Sequence, residues 1–167
     1  MAPARTGFEP TEIFTATAMF FTVTELNNAK SDISKLVEFF DQAKEKLSNV
    51  EFGTQQDQDV FSSYYDLDRG QAFPSAKMIQ DMARGISAAL AIKEWLGGTH
   101  TPEVKSKEAQ TVFMTGKVWP DEVDVLNVPA RGFNSYNSSD IIIKPVGMPK
   151  GYYGVSLKKK PKEDDVD

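Results

Sequence analysis

The chain of 167 residues contains no cysteine and a single histidine, His100. Disulfide bonds and thiolate zinc sites are therefore excluded, and a metal site built from several histidines is impossible. A Ser-His-Asp triad could use only His100, which lies in a predicted loop, where a lone histidine is more typical of a surface residue. A metal ion would need carboxylate and carbonyl oxygens as ligands, and these favour Mg²⁺ or Mn²⁺ over zinc.

The sequence also lacks a long hydrophobic run, a signal peptide and an excess of basic residues. Its most apolar stretch, residues 13–23, is shorter than the roughly 18 residues that span a bilayer. We therefore expect no membrane partner, and a location in the cytoplasm or, if the source is a bacteriophage, in the virion. The net charge of −5 excludes a uniformly basic surface, so any contact with nucleic acid must be local.

Three segments in the first part of the chain have the apolar spacing of helices. The first runs from about residue 9 to 26, where Asn27 and Asn28 interrupt, and the second from about 30 to 47. The third begins near residue 75 and ends before Gly97 and Gly98, which are typical of a helix stop. Residues 48–72 are predicted to be a long loop or short irregular elements.

Strands follow the helices. They are predicted over residues 111–118, 141–146 and 152–157, and a turn rich in Gly and Pro joins the last two into a hairpin. Tyr152 and Tyr153 are expected to pack on the two faces of the last strand.

The order of elements predicts an α+β fold, in which a helical N-terminal half packs on a small mixed or antiparallel sheet. We divide the chain into a flexible lead (1–7), a helical region (8–98), a sheet region (99–160) and a charged tail (161–167).

The predicted hairpin places residues of chemical interest at its open end. Asp140 opens one strand, and Lys158 closes the next, with Ser156 two residues earlier on the same face. Residues across a ladder lie about 5 Å apart, so a hairpin can bring a carboxylate and a lysine together. Phosphodiester hydrolysis with a divalent cation needs this combination, because the carboxylate holds the metal ion and the lysine offsets charge on the phosphate.

The stretch "SDIII" followed by "YYGVSLK" resembles the active site of the PD-(D/E)xK nucleases, the restriction-endonuclease-like superfamily. In that family an aspartate begins one strand, and an acid-x-Lys motif lies on the neighbouring strand after a turn. The resemblance covers only Ser138 to Lys160. It implies that Asp140 ligates Mg²⁺ or Mn²⁺, that Lys158 positions the attacking water, and that the substrate is DNA, with RNA as an open alternative.

The sequence departs from the family pattern in two ways. Ser156 stands at the position of the second acid, so another residue would have to supply that carboxylate; the candidates are Glu94 and Glu122, with Glu108 also open. The chain ends soon after Lys158, whereas the family fold continues with a further helix and strands. We therefore expect either a core truncated at the C-terminus or one completed by a partner subunit.

Several polar and basic residues near the hairpin are predicted to contact nucleic acid. Amide and hydroxyl side chains bind phosphate or sugar, and each lysine that neutralises a phosphate releases counterions. The residues are Asn134, Ser135, Asn137, Lys144, Lys159 and Lys160. A solvated turn and a solvated terminus are the alternative interpretations.

The favoured hypothesis is a magnesium-dependent nuclease domain, or a fragment of one, that acts on DNA, for example in phage DNA processing. One alternative is a non-enzymatic structural or interaction protein, such as an oligomeric virion component; the acidic balance and the missing second acid favour it. Another is an inactive nuclease fold that binds nucleic acid.

Overall fold

The computed structural model describes residues 8–66, 73–99, 101–115, 119–124, 140–148 and 151–155. These residues form six α-helices and one four-stranded mixed sheet, which confirms the predicted α+β class. The helices are α1 Pro10–Ala18, α2 Val23–Ala29, α3 Ile33–Lys44, α4 Gln55–Ser63, α5 Ala76–Trp95 and α6 Asp121–Asp124. The strands are β1 Val50–Glu51, β2 Ala109–Met114, β3 Ile141–Pro145 and β4 Tyr153–Val155. Within the described residues, no helix combines the length and the apolar character needed to cross a bilayer.

The first predicted helix is two helices in the structure. The Thr22 hydroxyl accepts a hydrogen bond from Glu25 N at 3.1 Å, and the Glu25 carboxylate accepts one from Thr22 N at 2.8 Å. This capping box starts α2 and separates it from α1. The prediction of a single helix over residues 9–26 was therefore wrong, and so was the break at Asn27 and Asn28, which lie inside α2. The α3 and α5 helices confirm the second and third predicted segments.

The strands are arranged in the order β1-β2-β3-β4. The pair β1/β2 is parallel, whereas β2/β3 and β3/β4 are antiparallel, so the predicted hairpin forms. The short β1 comes from the part of the chain that was predicted to be irregular. β3 lies in the interior of the sheet, between β2 and β4. Its residues Ile141, Ile142 and Ile143 are completely buried.

The two faces of the sheet bury different sets of apolar side chains. One face packs on the helices and shares a core with α1 and α5; its members include Phe14, Met19, Met82, Ile86, Val112, Met114, Ile141 and Ile143. The other face carries a smaller cluster of Phe113, Trp119, Val123 and Ile142, with Tyr152 packed against it. The segment 119–124, which contains α6, therefore covers the sheet on the side opposite to α1 and α5.

Helices α1 and α5 approach each other closely at Gly85. Every residue of α1 from 12 to 18 is buried. A Cβ atom on Gly85 would lie 2.5 Å from the Cβ of Phe14 and 2.9 Å from both the Phe14 carbonyl carbon and Thr15 N. Since two of these three atoms belong to the backbone, only glycine fits at this crossing.

The buried side chain of Lys93 on α5 joins the end of α1 to the entry of β2. Its Nζ donates hydrogen bonds to Lys107 O at 2.6 Å and to Met19 O at 3.2 Å. The same Nζ lies 3.7 Å from Oε2 of Glu108. Burial lowers the pKa of Lys93 to about 8, although the Glu108 carboxylate opposes this shift.

Replacing Gly85 by Ala should destabilise the protein, although Ala is the better helix former. The added methyl group would force α1 and α5 apart, and overpacking of this kind typically costs about 1–3 kcal/mol of unfolding free energy. Urea unfolding measures this loss. Arg84→Ala, at the exposed neighbouring position, should change the unfolding free energy by less than about 0.5 kcal/mol. Equal stabilities of the two variants would contradict the close crossing.

Replacing Lys93 by Met should lower the unfolding free energy by about 2–4 kcal/mol, because the carbonyls of Met19 and Lys107 and the carboxylate of Glu108 each lose one partner. The folded-state pKa of about 8 lies below the ordinary value of 10.5, so between these values the unfolded state binds more protons. The stability contribution of Lys93 therefore rises as the pH increases from about 8 to about 10.5.

The difference in unfolding free energy between the wild type and Lys93→Met should accordingly grow over this pH range in urea titrations. The exposed Lys105 provides the control, and Lys105→Met should change the unfolding free energy only slightly. A difference for Lys93→Met that stays constant between pH 8 and 10.5 would contradict the lowered pKa.

Candidate functional site

Asp140 is held by both neighbouring strands at the start of β3. Its backbone N donates a hydrogen bond to Val155 O at 2.7 Å. Its carbonyl accepts hydrogen bonds from Thr115 N at 3.3 Å and from the Thr115 hydroxyl at 2.8 Å. The residue is half-buried, so part of it remains accessible to solvent. The backbone position of Asp140 is thus determined by the sheet and not by a loop.

The strand that pairs with β3 leads directly to the other predicted catalytic residues. β4 runs antiparallel to β3 and ends at Val155, immediately before Ser156 in the sequence. Ser156 and Lys158 themselves lie outside the described residues, so their predicted roles stay predictions. Five of the predicted nucleic-acid contacts also lie outside the described residues, namely Asn134, Ser135, Asn137, Lys159 and Lys160. His100, expected at the surface, lies outside them as well.

The structure brings together two of the predicted residues, Glu122 and Lys144, and adds Tyr152. The Lys144 Nζ lies 3.2 Å from Oε2 of Glu122, and the Tyr152 hydroxyl donates to the same oxygen at 2.6 Å. The Lys144 Nζ is also 5.9 Å from the centre of the Tyr152 ring. The Tyr152 hydrogen bond, assisted by Lys144, lowers the pKa of Glu122, and the pKa of Tyr152 is raised in return.

This group lies on the face of the sheet opposite to the helices. The Tyr152 and Phe113 rings are 5.9 Å apart, and Val123 next to Glu122 is buried against the same cluster. Tyr153 packs on the other face, with its ring 6.0 Å from that of Trp95 on α5. The prediction that the two tyrosines occupy opposite faces is confirmed.

Glu122 is distant from Asp140 along the hairpin. Asp140 and Lys144 are four residues apart on one strand, which corresponds to about 13 Å between their backbones. Glu122 is bound by Lys144 and Tyr152 at the turn end, whereas Asp140 lies at the other end. A shared divalent ion would need an oxygen of each carboxylate within about 2.0–2.6 Å. In this arrangement Glu122 does not complete a site with Asp140.

The other candidate acids do not join Asp140 either. Glu94 is exposed on α5. This helix packs on the face of the sheet that carries Ile141 and Ile143, opposite to the face that carries Ile142. Glu108 pairs with the buried Lys93. Among the described residues there is no group of three or more His, Asp or Glu side chains that could hold a metal ion. Within the described residues Asp140 therefore belongs to no such group, and the fit to a divalent ion depends on its own carboxylate.

The comparisons of the chain with protein-family models, with curated proteins and with solved structures found no match. The resemblance to the PD-(D/E)xK nucleases thus depends on the hairpin residues alone. Function has to be argued from their chemistry and position.

Replacing Tyr152 by Phe should raise the pKa of Glu122 towards its ordinary value, because the tyrosine hydrogen bond is the main cause of the lowering. A lowered pKa means that Glu122 contributes to stability at neutral pH and loses this contribution as the pH falls through the folded-state pKa. In Tyr152→Phe the contribution should be smaller and should disappear at higher pH. A ¹³C NMR titration of the Glu122 carboxyl group measures the shift.

The matched control is Tyr153→Phe, since Tyr153 donates a comparable hydrogen bond to Glu103, whose pKa is also lowered mainly by that bond. This variant should raise the pKa of Glu103 and leave that of Glu122 unchanged. If the pKa of Glu122 is the same in the wild type and in Tyr152→Phe, the Tyr152 hydroxyl is not the cause of the lowered pKa.

Proposed function

We propose that this chain is a metal-dependent nuclease domain, or a fragment of one, that hydrolyses phosphodiester bonds of DNA. One observation carries the proposal: Asp140 begins the interior strand of an antiparallel hairpin and is held there by hydrogen bonds to both neighbouring strands. The sequence that follows the second strand of that hairpin supplies Ser156 and Lys158. A carboxylate on a rigid strand, with a lysine following the paired strand, suits phosphodiester hydrolysis.

The residues have distinct roles in this proposal. Asp140 provides a carboxylate ligand for Mg²⁺ or Mn²⁺, which when bound supplies charge compensation and an activated water. Lys158 positions that water and offsets the negative charge on the phosphate, and Ser156 stands at the position of the second acid. The proposal assigns no second carboxylate, because Glu94 lies on α5 and Glu122 is bound by Lys144 and Tyr152.

Replacing Asp140 by Asn should abolish metal-dependent nicking of supercoiled plasmid and cleavage of single-stranded DNA. Asn keeps the size of the side chain but removes the charge, so we expect a rate loss of about 100-fold or more with Mg²⁺ or Mn²⁺. A chelator should abolish the wild-type activity. Asp59→Asn, a substitution at an exposed position on α4, provides the control and should cleave at the wild-type rate.

Cleavage that survives in Asp140→Asn would contradict the proposed site. Absence of cleavage by the folded wild type would instead favour a second candidate, a nuclease-like fold that binds nucleic acid without hydrolysing it. That candidate is supported by the absence, among the described residues, of a group of three or more His, Asp or Glu side chains that could hold a metal ion. If the folded protein neither cleaved nor bound DNA, a structural role would be favoured.

A further inference from the structure

Two hydrogen-bond donors on the hairpin converge on one point above the sheet. The Lys144 Nζ and the Tyr152 hydroxyl both contact Oε2 of Glu122, at 3.2 and 2.6 Å. Lys144 belongs to β3, and Tyr152 directly precedes β4. Because Ile143 pairs with Tyr153, Lys144 and Tyr152 are cross-strand neighbours at the turn end of the hairpin.

The donors are held more firmly than the acceptor. The Lys144 side chain is 16% exposed, so most of its length is packed, and the Tyr152 ring contacts Phe113. The Glu122 side chain is 46% exposed and belongs to the four-residue helix α6. The two donors therefore form the fixed part of the contact, and the carboxylate is the part that another acceptor can replace.

We propose that Lys144 and Tyr152 form a binding site for a backbone phosphate of nucleic acid, and that Glu122 occupies this site in the free protein. The inference rests on the proposed function, since it assigns a second contact to the same substrate. Phosphate oxygens accept hydrogen bonds from lysine and tyrosine in the same way as a carboxylate oxygen. Glu122 then acts as an internal competitor of the substrate.

The position of this pair suits a strand that also reaches Asp140. Ile141 and Ile143 pack on the side of α1 and α5 and Ile142 on the other side, so strand alternation places Asp140 and Lys144 on the side of Ile142. Their backbones are about 13 Å apart, a distance that neighbouring phosphates of one strand can span. One bound strand can therefore pass both residues.

The opposite face of the hairpin offers a natural control. Tyr153 donates a hydrogen bond to Glu103 there, as Tyr152 does to Glu122. The structure gives Glu103 no lysine partner among the described residues, whereas Glu122 has Lys144. Glu122→Gln and Glu103→Gln change the charge of the protein equally. Only Glu122→Gln removes a carboxylate from a lysine, namely Lys144.

The test measures binding of a fluorescent 20-base-pair duplex in chelator, so that no cleavage can occur. Glu122→Gln and Glu122→Ala should bind about 3- to 5-fold more tightly than the wild type, the scale of one released surface ion pair. Glu103→Gln should change the affinity by less than about 2-fold, the general effect of one distant charge. Lys144→Met should weaken binding and reduce the slope of log K against log salt by about 1.

Each outcome bears on the proposal. Equal tightening by Glu122→Gln and Glu103→Gln would overturn it, because the effect would then come from net charge alone. An unchanged salt slope in Lys144→Met, or no duplex binding by any variant, would also overturn it. Tyr152→Phe should weaken binding, and circular dichroism checks that this variant and Glu122→Ala are both folded.

This experiment separates the phosphate site from the proposed nuclease activity. Tightening by Glu122→Gln without any cleavage in Mg²⁺ or Mn²⁺ would support the phosphate site and contradict the nuclease. Cleavage that depends on Asp140, together with unchanged binding in Glu122→Gln, would support the nuclease and contradict the phosphate site.

Discussion

β3 is buried on both faces of the sheet, and this burial determines which segments pack around the hairpin. Ile141 and Ile143 enter the core shared with α1 and α5, and Ile142 enters the smaller cluster on the other face. A strand that is apolar in both directions must be covered in both directions. Helices α1 and α5 cover one side, and the segment 119–124 with α6 covers the other. Asp140, the residue before this strand, is therefore placed by the packing of the three isoleucines that follow it.

The same constraint explains how much of the fold could be predicted from the sequence. The run of isoleucines and the Gly- and Pro-containing turn indicated the hairpin, and the structure has it close to the predicted position. The long apolar stripe of α5 and its glycine stop were equally informative. These signals are local, because each depends on neighbouring residues and on the simple periodicities of helix and strand.

The errors arose where tertiary contacts or a side-chain cap decided the outcome. The capping box of Thr22 and Glu25 was present in the sequence but was hidden by an apolar stretch that continued across it. The two-residue β1 has no detectable pattern of its own and exists because it pairs with β2. Likewise, the contact of Glu122 with Tyr152 joins residues from separate segments, and only the packing of Val123 on the sheet brings them together.

For the candidate site, the sequence indicated residue types and the structure decided which of them meet. Glu122 and Lys144 were predicted for different roles, as a metal ligand and as a nucleic-acid contact. The structure pairs them with each other at the turn end of the hairpin, away from Asp140. An acidic protein can still bind a polyanion through a few well-placed donors.

Binding of Mn²⁺ followed by ¹⁵N NMR is a direct test of the proposal that Asp140 ligates a metal ion. The paramagnetic ion broadens the amide signals nearest to it, and the observation needs neither DNA nor turnover. If Asp140 holds the ion, the signals of Asp140, Thr115 and Val155 should broaden first, and Asp140→Asn should remove this effect. Broadening that begins elsewhere, or that persists unchanged in Asp140→Asn, would contradict the assignment of Asp140 as a metal ligand.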